Sequence, residues 1–274
     1  MLDQQHPGDF SQLTNKISVE RGFGCASYKE KCLRRRIAVR MRARGVHTYE
    51  DYAKILDTDA AEYDKLLDAL TINVTKLFRN WDAYASIAAS VVPELWRRET
   101  ADIRVWSAGC SSGDEPYSLA ILFHRHAATT GMLPQISRVR ILGTDIDRRC
   151  LAAAARGEFD EADFVDTPAD LRGRYFTDSV PFSVAPSIRE LVSFEQRDLL
   201  NQAPPVERGR FDLIVCRNVL IYFDRETQER LFQSFHAALA PGGFLMLGKV
   251  ETLLGKARSM FAPVDARERV FRRL

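Results

Sequence analysis

The sequence lacks the features of a secreted, metal-binding or membrane-spanning protein. Its five cysteines are an odd number with no CxxC pair, which argues against a disulfide framework or a zinc knuckle. No apolar run reaches the roughly 18 residues that a membrane span needs. The first residues also lack the basic and apolar regions of a secretory signal. We therefore expect a soluble cytoplasmic protein that holds no metal and is not inserted in a membrane.

Neither sign of charge dominates the chain. Lys and Arg number 39 against 37 Asp and Glu, giving a formal net charge of +2, so the protein does not coat polyanions with its whole surface. The 274 residues suggest one large domain or two small ones at about 150 residues each. Hydrophobic residues at 46% and charged residues at 28% are typical of a folded globular protein rather than a disordered one.

Charge is nevertheless segregated near the start of the chain. Between Tyr28 and Arg44 there are eight basic residues and one acid, with apolar residues at every fourth position, which predicts an amphipathic basic helix. Glu50–Asp68 is acidic and also has helical spacing, with a break near Thr58. No strand pattern occurs before about residue 100. We therefore predict a small all-helical domain over residues 1–85.

Residues 86–274 alternate between strand and helix patterns. Such alternation predicts a mostly parallel α/β sheet that is covered on both faces. The predicted strands are Ile103–Ser107, Val139–Leu142, Leu191–Glu195, Phe211–Cys216, Phe244–Leu247 and a final edge strand, Arg269–Arg272.

A glycine loop follows the first predicted strand. Ligands of open α/β sheets bind at the carboxyl ends of the strands, and Gly109 and Gly113 would let main-chain N–H groups approach a ligand there. The spacing is G-x-x-x-G, which matches neither the dinucleotide fingerprint nor a P-loop.

The same loop also spells the G-x-S-x-G nucleophile elbow of α/β-hydrolases, centred on Ser111. No oxyanion segment precedes it, and the downstream histidines His124, His126 and His236 lie in predicted helices rather than in a late loop. Hydrolysis through Ser111 is therefore kept as an alternative function.

Carboxylates at the ends of the next two strands suggest a different ligand. Asp145 could accept both hydrogen bonds of a ribose diol, and Asp198 could accept one from an adenine amino group. Such a set suits an adenosine without a phosphate tail, of which S-adenosylmethionine is the common example. Alternatively, Asp145 and Asp147 only cap the following helix.

Four motifs, in order, resemble the chemotaxis receptor methyltransferases, the CheR family. The resemblance covers the chain from about residue 20 to its end, and the basic Tyr28–Arg44 stretch is similar to the family's N-terminal helical domain. The motifs are Thr71–Arg79, Trp106–Ser118, Thr144–Asp147 and Cys216–Phe223.

The resemblance implies a Rossmann-like S-adenosylmethionine-dependent methyltransferase sheet behind a small all-helical domain. The implied reaction is methylation of glutamate side chains on the cytoplasmic helical bundles of chemoreceptors, with S-adenosylhomocysteine as product. It implies that Arg79 and Tyr222 are catalytic, with Tyr222 facing the methyl group. The residues implied to contact the cofactor are Asn73, Thr75, Arg79, Gly109, Gly113, Glu115 (amino group), Asp145 (ribose), Asp198 and Leu199 (adenine), Arg217 and Asn218.

Two departures from the family pattern bear on binding. The family often has Asn where this chain has Asp198. Some members also carry a Gly-x-Gly turn that docks a receptor C-terminal pentapeptide, and the matching region, Arg174–Val192, has no such pair. We therefore expect an enzyme that does not depend on the pentapeptide. Separately, we expect the protein to be a monomer.

The residue types suit this chemistry. A glutamate with a pKa of about 4.3 is already ionised at neutral pH, so the acceptor needs no general base. Alignment of the two reactants then supplies most of the acceleration, with Arg79 and Tyr222 aiming the acceptor.

The basic helix would dock an acidic receptor bundle. The alternatives are a nucleic-acid-binding module, in which Arg34–Arg36 would contact phosphates, and a merely solvated face. The stretch lacks the interleaved aromatic residues that stack bases, so we expect no nucleic acid partner.

Overall fold

The computed structural model describes residues 7–71, 73–206 and 210–274. The chain forms two compact units, of which the first runs to Asn73 and also includes Tyr222–Thr227, and the second comprises the rest. The division after Asn73 precedes the boundary that we placed at residue 85. The physical reason is that Tyr84, Ile87 and the helix around them belong to the hydrophobic core of the second unit.

The first unit is helical. Asp59 ends α3 and also caps α4, because its side chain accepts a hydrogen bond from the N–H of Glu62. Apolar residues at helical spacing, such as Leu33 and Ile37, form its buried core. The helices are α1 (Pro7–Arg21), α2 (Glu30–Ala43), α3 (Tyr49–Thr58) and α4 (Ala60–Leu70), with a short 3₁₀ turn at Cys25–Ser27.

Several basic side chains of α2 are used inside this unit. Glu62 is fully buried and accepts two hydrogen bonds from Arg40, at 3.0 and 2.6 Å, and one from the hydroxyl of Tyr52 at 2.8 Å. Arg36 is also buried and donates to the carbonyl oxygen of Leu70. These two cations therefore hold α2 against α4, while Tyr52 joins α3 to the same carboxylate, and neither cation is part of an open basic face.

The segment Tyr222–Thr227 completes the first unit. The main-chain N–H of Lys29 donates to the carbonyl oxygen of Tyr222 at 2.9 Å, and the ring of Phe223 meets Tyr28 edge-on at 4.9 Å. The guanidinium of Arg36 lies 4.6 Å from the centre of the Tyr222 ring. A short piece of chain far along the sequence is thus held by α2 and the residues just before it.

The second unit is built on a seven-stranded sheet in the order β5-β2-β1-β6-β7-β9-β8. The five strands from β5 to β7 are parallel, and β9 and β8 are antiparallel to their neighbours. β6 is buried along its whole length, as expected of a parallel strand covered on both faces. The strands are β1 (Ile103–Ala108), β2 (Val139–Asp145), β5 (Val192–Gln196), β6 (Phe211–Cys216), β7 (Leu239–Leu247), β8 (Phe261–Asp265) and β9 (Val270–Arg273), while β3 (Glu158–Phe159) and β4 (Phe182–Ser183) form a separate antiparallel pair.

Helices connect the strands and cover the sheet. Among them, α7 packs on β1, β2 and β5, and a π-helical turn at Ile87–Val91 joins α5 to α6. The helices of this unit are α5 (Trp81–Ser86), α6 (Val92–Arg97), α7 (Asp114–Thr130), α8 (Arg148–Arg156), α9 (Ala169–Tyr175), α10 (Pro186–Arg189) and α12 (Ala257–Met260); α11 (Arg225–Ala238) begins within the first unit's segment and continues here.

The predicted fold class is confirmed: a mostly parallel Rossmann-like sheet accompanies a small all-helical N-terminal unit. All six predicted strands occur, and the structure adds β8 and the β3–β4 pair. The prediction that the last of the six lies at the edge of the sheet is wrong, because β9 pairs with both β7 and β8, and β8 is the edge strand. Within the described ranges, no helix has both the length and the apolar character needed to cross a bilayer.

Candidate active site

The candidate site lies at the carboxyl end of β1, where the strand order reverses. β2 lies on one side of β1 and β6 on the other, so loops from three strands meet at this edge of the sheet. The N–H groups of Gly109 and Cys110 both donate to the carbonyl oxygen of Thr144, at 2.8 and 2.9 Å. These bonds fix the glycine loop against the end of β2.

Both predicted glycines have positive φ, +83° at Gly109 and +91° at Gly113. A Cβ at Gly109 would lie 2.6 Å from a methyl carbon of Val219, and one at Gly113 would lie 2.8 Å from the Cβ of Ala154. Neither position therefore tolerates a side chain, for reasons of both backbone conformation and packing. Glycine at these two positions lets the loop lie close to the turn after β6 and to α8.

Asp145 ends β2 and is 9% exposed. One of its carboxylate oxygens accepts the N–H of Ser111 at 2.8 Å, and the other accepts the N–H of Asp147 at 2.9 Å. Burial raises its pKa, and these main-chain donors oppose that rise. The helix cap is Asp147, which accepts from the N–H groups at the start of α8. Each Asp145 oxygen retains a second lone pair, so the carboxylate can still accept a pair of hydroxyl groups.

Glu115 lies in the first turn of α7 and is 9% exposed. The hydroxyl of Ser107 donates to it at 2.8 Å, and an Nη atom of Arg217 lies 4.0 Å from its other oxygen. Burial raises the pKa of Glu115 to about 7, and the charge of Arg217 limits that rise. A carboxylate so short of hydrogen bonds is suited to receiving a cationic group.

Arg217 follows β6 and connects Glu115 with the segment that carries Arg79. Its Nη2 donates to the carbonyl oxygen of Arg79 at 2.8 Å, and its guanidinium lies 5.1 Å from the centre of the Tyr84 ring. Tyr84 is fully buried and was not among the predicted site residues. It could not be found from the sequence, because a buried tyrosine in a helix is ordinarily part of a core.

Hydrogen bonds from two other parts of the chain hold the segment that carries Arg79. The N–H of Phe78, a residue with φ of +51°, donates to the hydroxyl of Ser118 at 2.8 Å. The carboxylate of Asp166 accepts from Lys76 at 2.9 Å and from the N–H of Asn80 at 2.8 Å. Asp166 was also missed, since no motif links residues so far apart in the chain.

Asp198 and Leu199 form a turn beyond β5. Both carboxylate oxygens of Asp198 accept hydrogen bonds within this turn, from the N–H of Leu200 at 2.8 Å and from the side chain of Asn201 at 2.7 Å. The neighbouring Arg197 donates its N–H to the carbonyl oxygen of Asp145 at 2.9 Å, which joins this turn to the end of β2.

The remaining predicted residues are divided between the units. Thr75 is half-buried in the second unit, and Asn218 follows Arg217 with a φ of +61°. Asn73 and Tyr222 belong to the first unit, so the structure describes them apart from the glycine loop. The roles predicted for the site residues stay predictions.

Among the described residues, the three histidines downstream of Ser111 contact other groups, so none of them is placed as the base that the hydrolase alternative needs. Ser111 does have the positive φ of a sharp strand-to-helix turn, +50°. His124, however, lies against Tyr175, while His126 stacks on Trp96 and His236 meets Phe261 edge-on. No group of His, Cys, Asp and Glu that could hold a metal ion occurs in the part of the chain that is described.

Comparison with known families matches nearly the whole chain. Residues 73–270 match the family described as "CheR methyltransferase, SAM binding domain", and residues 8–71 match "CheR methyltransferase, all-alpha domain". The two matches meet close to the division between the compact units.

Curated relatives agree with the family match. A chemotaxis protein methyltransferase of Listeria monocytogenes is 34% identical over 250 residues, which are 91% of this chain and 92% of that protein. Chemotaxis protein methyltransferase 1 of Pseudomonas aeruginosa is 34% identical over 257 residues, 89% and 90% of the two chains. An uncharacterized 104.1 kDa protein of Rhodobacter capsulatus is 35% identical over 266 residues, which are 96% of this chain but 27% of that protein.

The residues at the site fit S-adenosylmethionine, the cofactor of the matched domain. The molecule combines an ammonium group with a ribose diol. The buried carboxylate of Glu115 has few donors of its own, and Asp145 keeps free lone pairs at the end of β2. These two carboxylates can therefore receive the two polar ends of the molecule.

We expect cofactor affinity to fall on acidification because of Glu115. Its carboxylate must be ionised to bind an ammonium group, and its pKa is about 7 in the ligand-free protein. The affinity for S-adenosylhomocysteine should therefore drop roughly 15-fold between pH 7 and pH 5.5. Calorimetry across this range measures it. The Glu115→Gln variant should bind weakly with little pH dependence, and a flat profile for the wild type would contradict the assignment.

Asp145 and Asp147 provide a matched pair of substitutions. Asp145→Asn should weaken binding of S-adenosylhomocysteine by about 10- to 100-fold, because hydrogen bonds to a charged group contribute about 1.5–3 kcal/mol. Asp147→Asn keeps the helix cap, because asparagine caps a helix about as well as aspartate, and should leave both the melting temperature and the affinity close to wild type. Equal affinities of the two variants would show that Asp145 does not bind the ligand.

Proposed function

The chain belongs to the CheR methyltransferase family, and from that premise we propose that it methylates glutamate side chains on the cytoplasmic helical bundles of chemoreceptors. Its S-adenosylmethionine-binding domain makes it an S-adenosylmethionine-dependent methyltransferase. The observation that carries the proposal is the site at the carboxyl ends of the strands, where buried Glu115 lies 4.0 Å from Arg217 and Arg217 donates to the carbonyl oxygen of Arg79. These contacts among the described residues involve no histidine. A reaction that needs no base fits a carboxylate acceptor.

The cofactor supplies a methyl group on a positively charged sulfur. The work left to the protein is to align an anionic acceptor with that group and to exclude water, because both charges fade as the methyl group moves. Arg79 is suited to guide the acceptor. It is half-buried, and one Nη atom donates to the carbonyl oxygen of Val74 at 2.8 Å, which leaves other guanidinium N–H groups for a carboxylate.

The first unit is proposed to dock the receptor. Arg40 and Arg44 are paired with acids of the unit itself, whereas Lys31, Arg35 and Arg42 are exposed on α2. These exposed cations would attract the acidic surface of a glutamate-rich bundle. Only some of the basic residues of α2 are therefore available for the proposed docking surface.

A transfer assay tests the proposed reaction. Wild-type protein is incubated with methyl-labelled S-adenosylmethionine and purified cytoplasmic receptor fragments, and the label is then tested for release by mild base. Base-labile label on glutamate, located by mass spectrometry, supports the proposal. Base-stable label, or none on any fragment while the protein binds S-adenosylhomocysteine, rejects glutamate methylation. Ester hydrolysis that is lost in Ser111→Ala would support the alternative.

Arg79→Ala should separate catalysis from cofactor binding. We expect kcat for receptor methylation to fall about 100-fold, because an acceptor without a guide is misaligned. The affinity for S-adenosylhomocysteine should change less than threefold. Arg140→Ala, which removes an exposed arginine of β2, is the control and should leave both values unchanged. Near-normal turnover of Arg79→Ala would remove this residue from the mechanism.

Reversing exposed charge on α2 should weaken receptor docking. The double variant Lys31→Glu/Arg35→Glu should raise KM for a receptor fragment about tenfold at low salt, with kcat little changed. The difference should shrink as salt is added, because exposed charges are screened over about 10 Å at 0.1 M. Lys65→Glu, an exposed lysine of α4, is the control. An unchanged KM together with lost binding to duplex DNA would favour the nucleic-acid alternative.

A further inference from the structure

A buried carboxylate at the carboxyl end of β7 lies outside the motifs described above. Glu251 is 4% exposed and accepts hydrogen bonds from four main-chain N–H groups. One oxygen accepts from Gly248 at 2.6 Å and Asn218 at 3.0 Å. The other accepts from Val219 at 3.0 Å and Ile221 at 3.3 Å. A single side chain thus joins the end of β7 to the turn after β6.

The backbone around Glu251 is shaped for this contact. A Cβ on Gly248 would lie 2.7 Å from a carboxylate oxygen of Glu251 and 2.8 Å from the main-chain nitrogen of Asn218. Asn218 itself has a φ of +61°, in the left-handed region, which asparagine enters more readily than other non-glycine residues. The bare backbone at Gly248 therefore lets the carboxylate reach the main-chain N–H groups of this turn.

Only a carboxylate matches four donors. An ionised Glu accepts with both oxygens, and its charge strengthens each bond. A glutamine of the same shape has one oxygen, and its NH₂ group would face two main-chain N–H donors with nothing to offer them. The buried N–H groups that lose their acceptor would then drive the turn toward another conformation.

We propose that Glu251 is a positioning residue for methyl transfer, holding the turn after β6 so that Arg217 reaches its partners. Arg217 directly precedes Asn218, and it contacts Glu115 and the carbonyl oxygen of Arg79. A change in the Asn218 backbone is therefore passed to two groups of the candidate site. The inference rests on the proposed function for its catalytic readout only.

The test compares Glu251→Gln with a matched control in the full-length chain. Asp212→Asn is the control, because Asp212 is another buried carboxylate that accepts a main-chain N–H, from Arg104 at 2.9 Å, but lies near the amino end of β6. For each protein we measure hydrogen exchange of the 216–222 segment, the affinity for S-adenosylhomocysteine and the melting temperature. We also measure kcat and KM for a receptor fragment.

We expect Glu251→Gln to exchange faster in the 216–222 segment, to bind S-adenosylhomocysteine about tenfold more weakly and to lose about tenfold in kcat. KM for the receptor fragment should stay within about twofold. Asp212→Asn should lower the melting temperature at least as much, with wild-type exchange in this segment and wild-type affinity. Unchanged exchange and affinity in Glu251→Gln, or equal changes in Asp212→Asn, would overturn the proposal.

A second variant keeps the test decisive if Glu251→Gln does not fold. Gly248→Ala pushes a methyl group against the same carboxylate and against Asn218. Weaker binding of S-adenosylhomocysteine with faster exchange in the 216–222 segment supports the proposal, and wild-type values overturn it. If the wild type methylates no receptor fragment, the proposed function fails, whereas the exchange and affinity measurements still decide the role of Glu251.

Discussion

The second unit depends on keeping ionisable side chains buried at one edge of its sheet without leaving them unpartnered. Asp145, Glu115, Arg217 and Glu251 are each less than a tenth exposed. A buried charge without partners is costly, so each of them has to be satisfied by main-chain donors, by hydroxyl groups or by an opposite charge. The loops that follow β1, β2, β6 and β7 are arranged to supply those partners, and this requirement fixes their shapes.

The buried carboxylates differ in how many hydrogen bonds they already accept. This difference separates the one that holds the backbone from those that are proposed to bind the cofactor. Glu251 accepts four main-chain N–H groups and has little capacity left, as suits a residue that holds backbone. Glu115 has one hydroxyl donor and a guanidinium 4.0 Å away, so it remains open to a further cation. Asp145 is intermediate, with one main-chain donor on each oxygen. The degree of satisfaction thus tracks the roles that we propose for these carboxylates.

The sequence predicted the fold well because its signals are local. Hydrophobic runs such as Phe211–Cys216 indicate buried strands, and Gly109 and Gly113 mark the loop by their spacing. The contacts of Tyr84, Asp166 and Glu251 were not foreseen, since each joins segments that are distant in the chain. For the same reason, the sequence predicted the basic helix but not which of its cations are paired. Arg40 has its partner in Glu62, two helices further on, and composition alone cannot show that this arginine is already paired.

The segment Tyr222–Thr227 makes the first unit discontinuous along the chain. Its main chain is bonded to Ser27 and Lys29, and Phe223 packs on Tyr28. About 150 residues separate Asn73 from Tyr222, and a ribosome that adds about 5–20 residues per second needs roughly 7–30 seconds for them. The N-terminal helices therefore exist for at least that time without the segment that completes their unit. A protein truncated at the end of the N-terminal helices would lack Tyr222–Thr227 and the contacts that this segment makes with them. The same holds if those helices are grafted onto another enzyme.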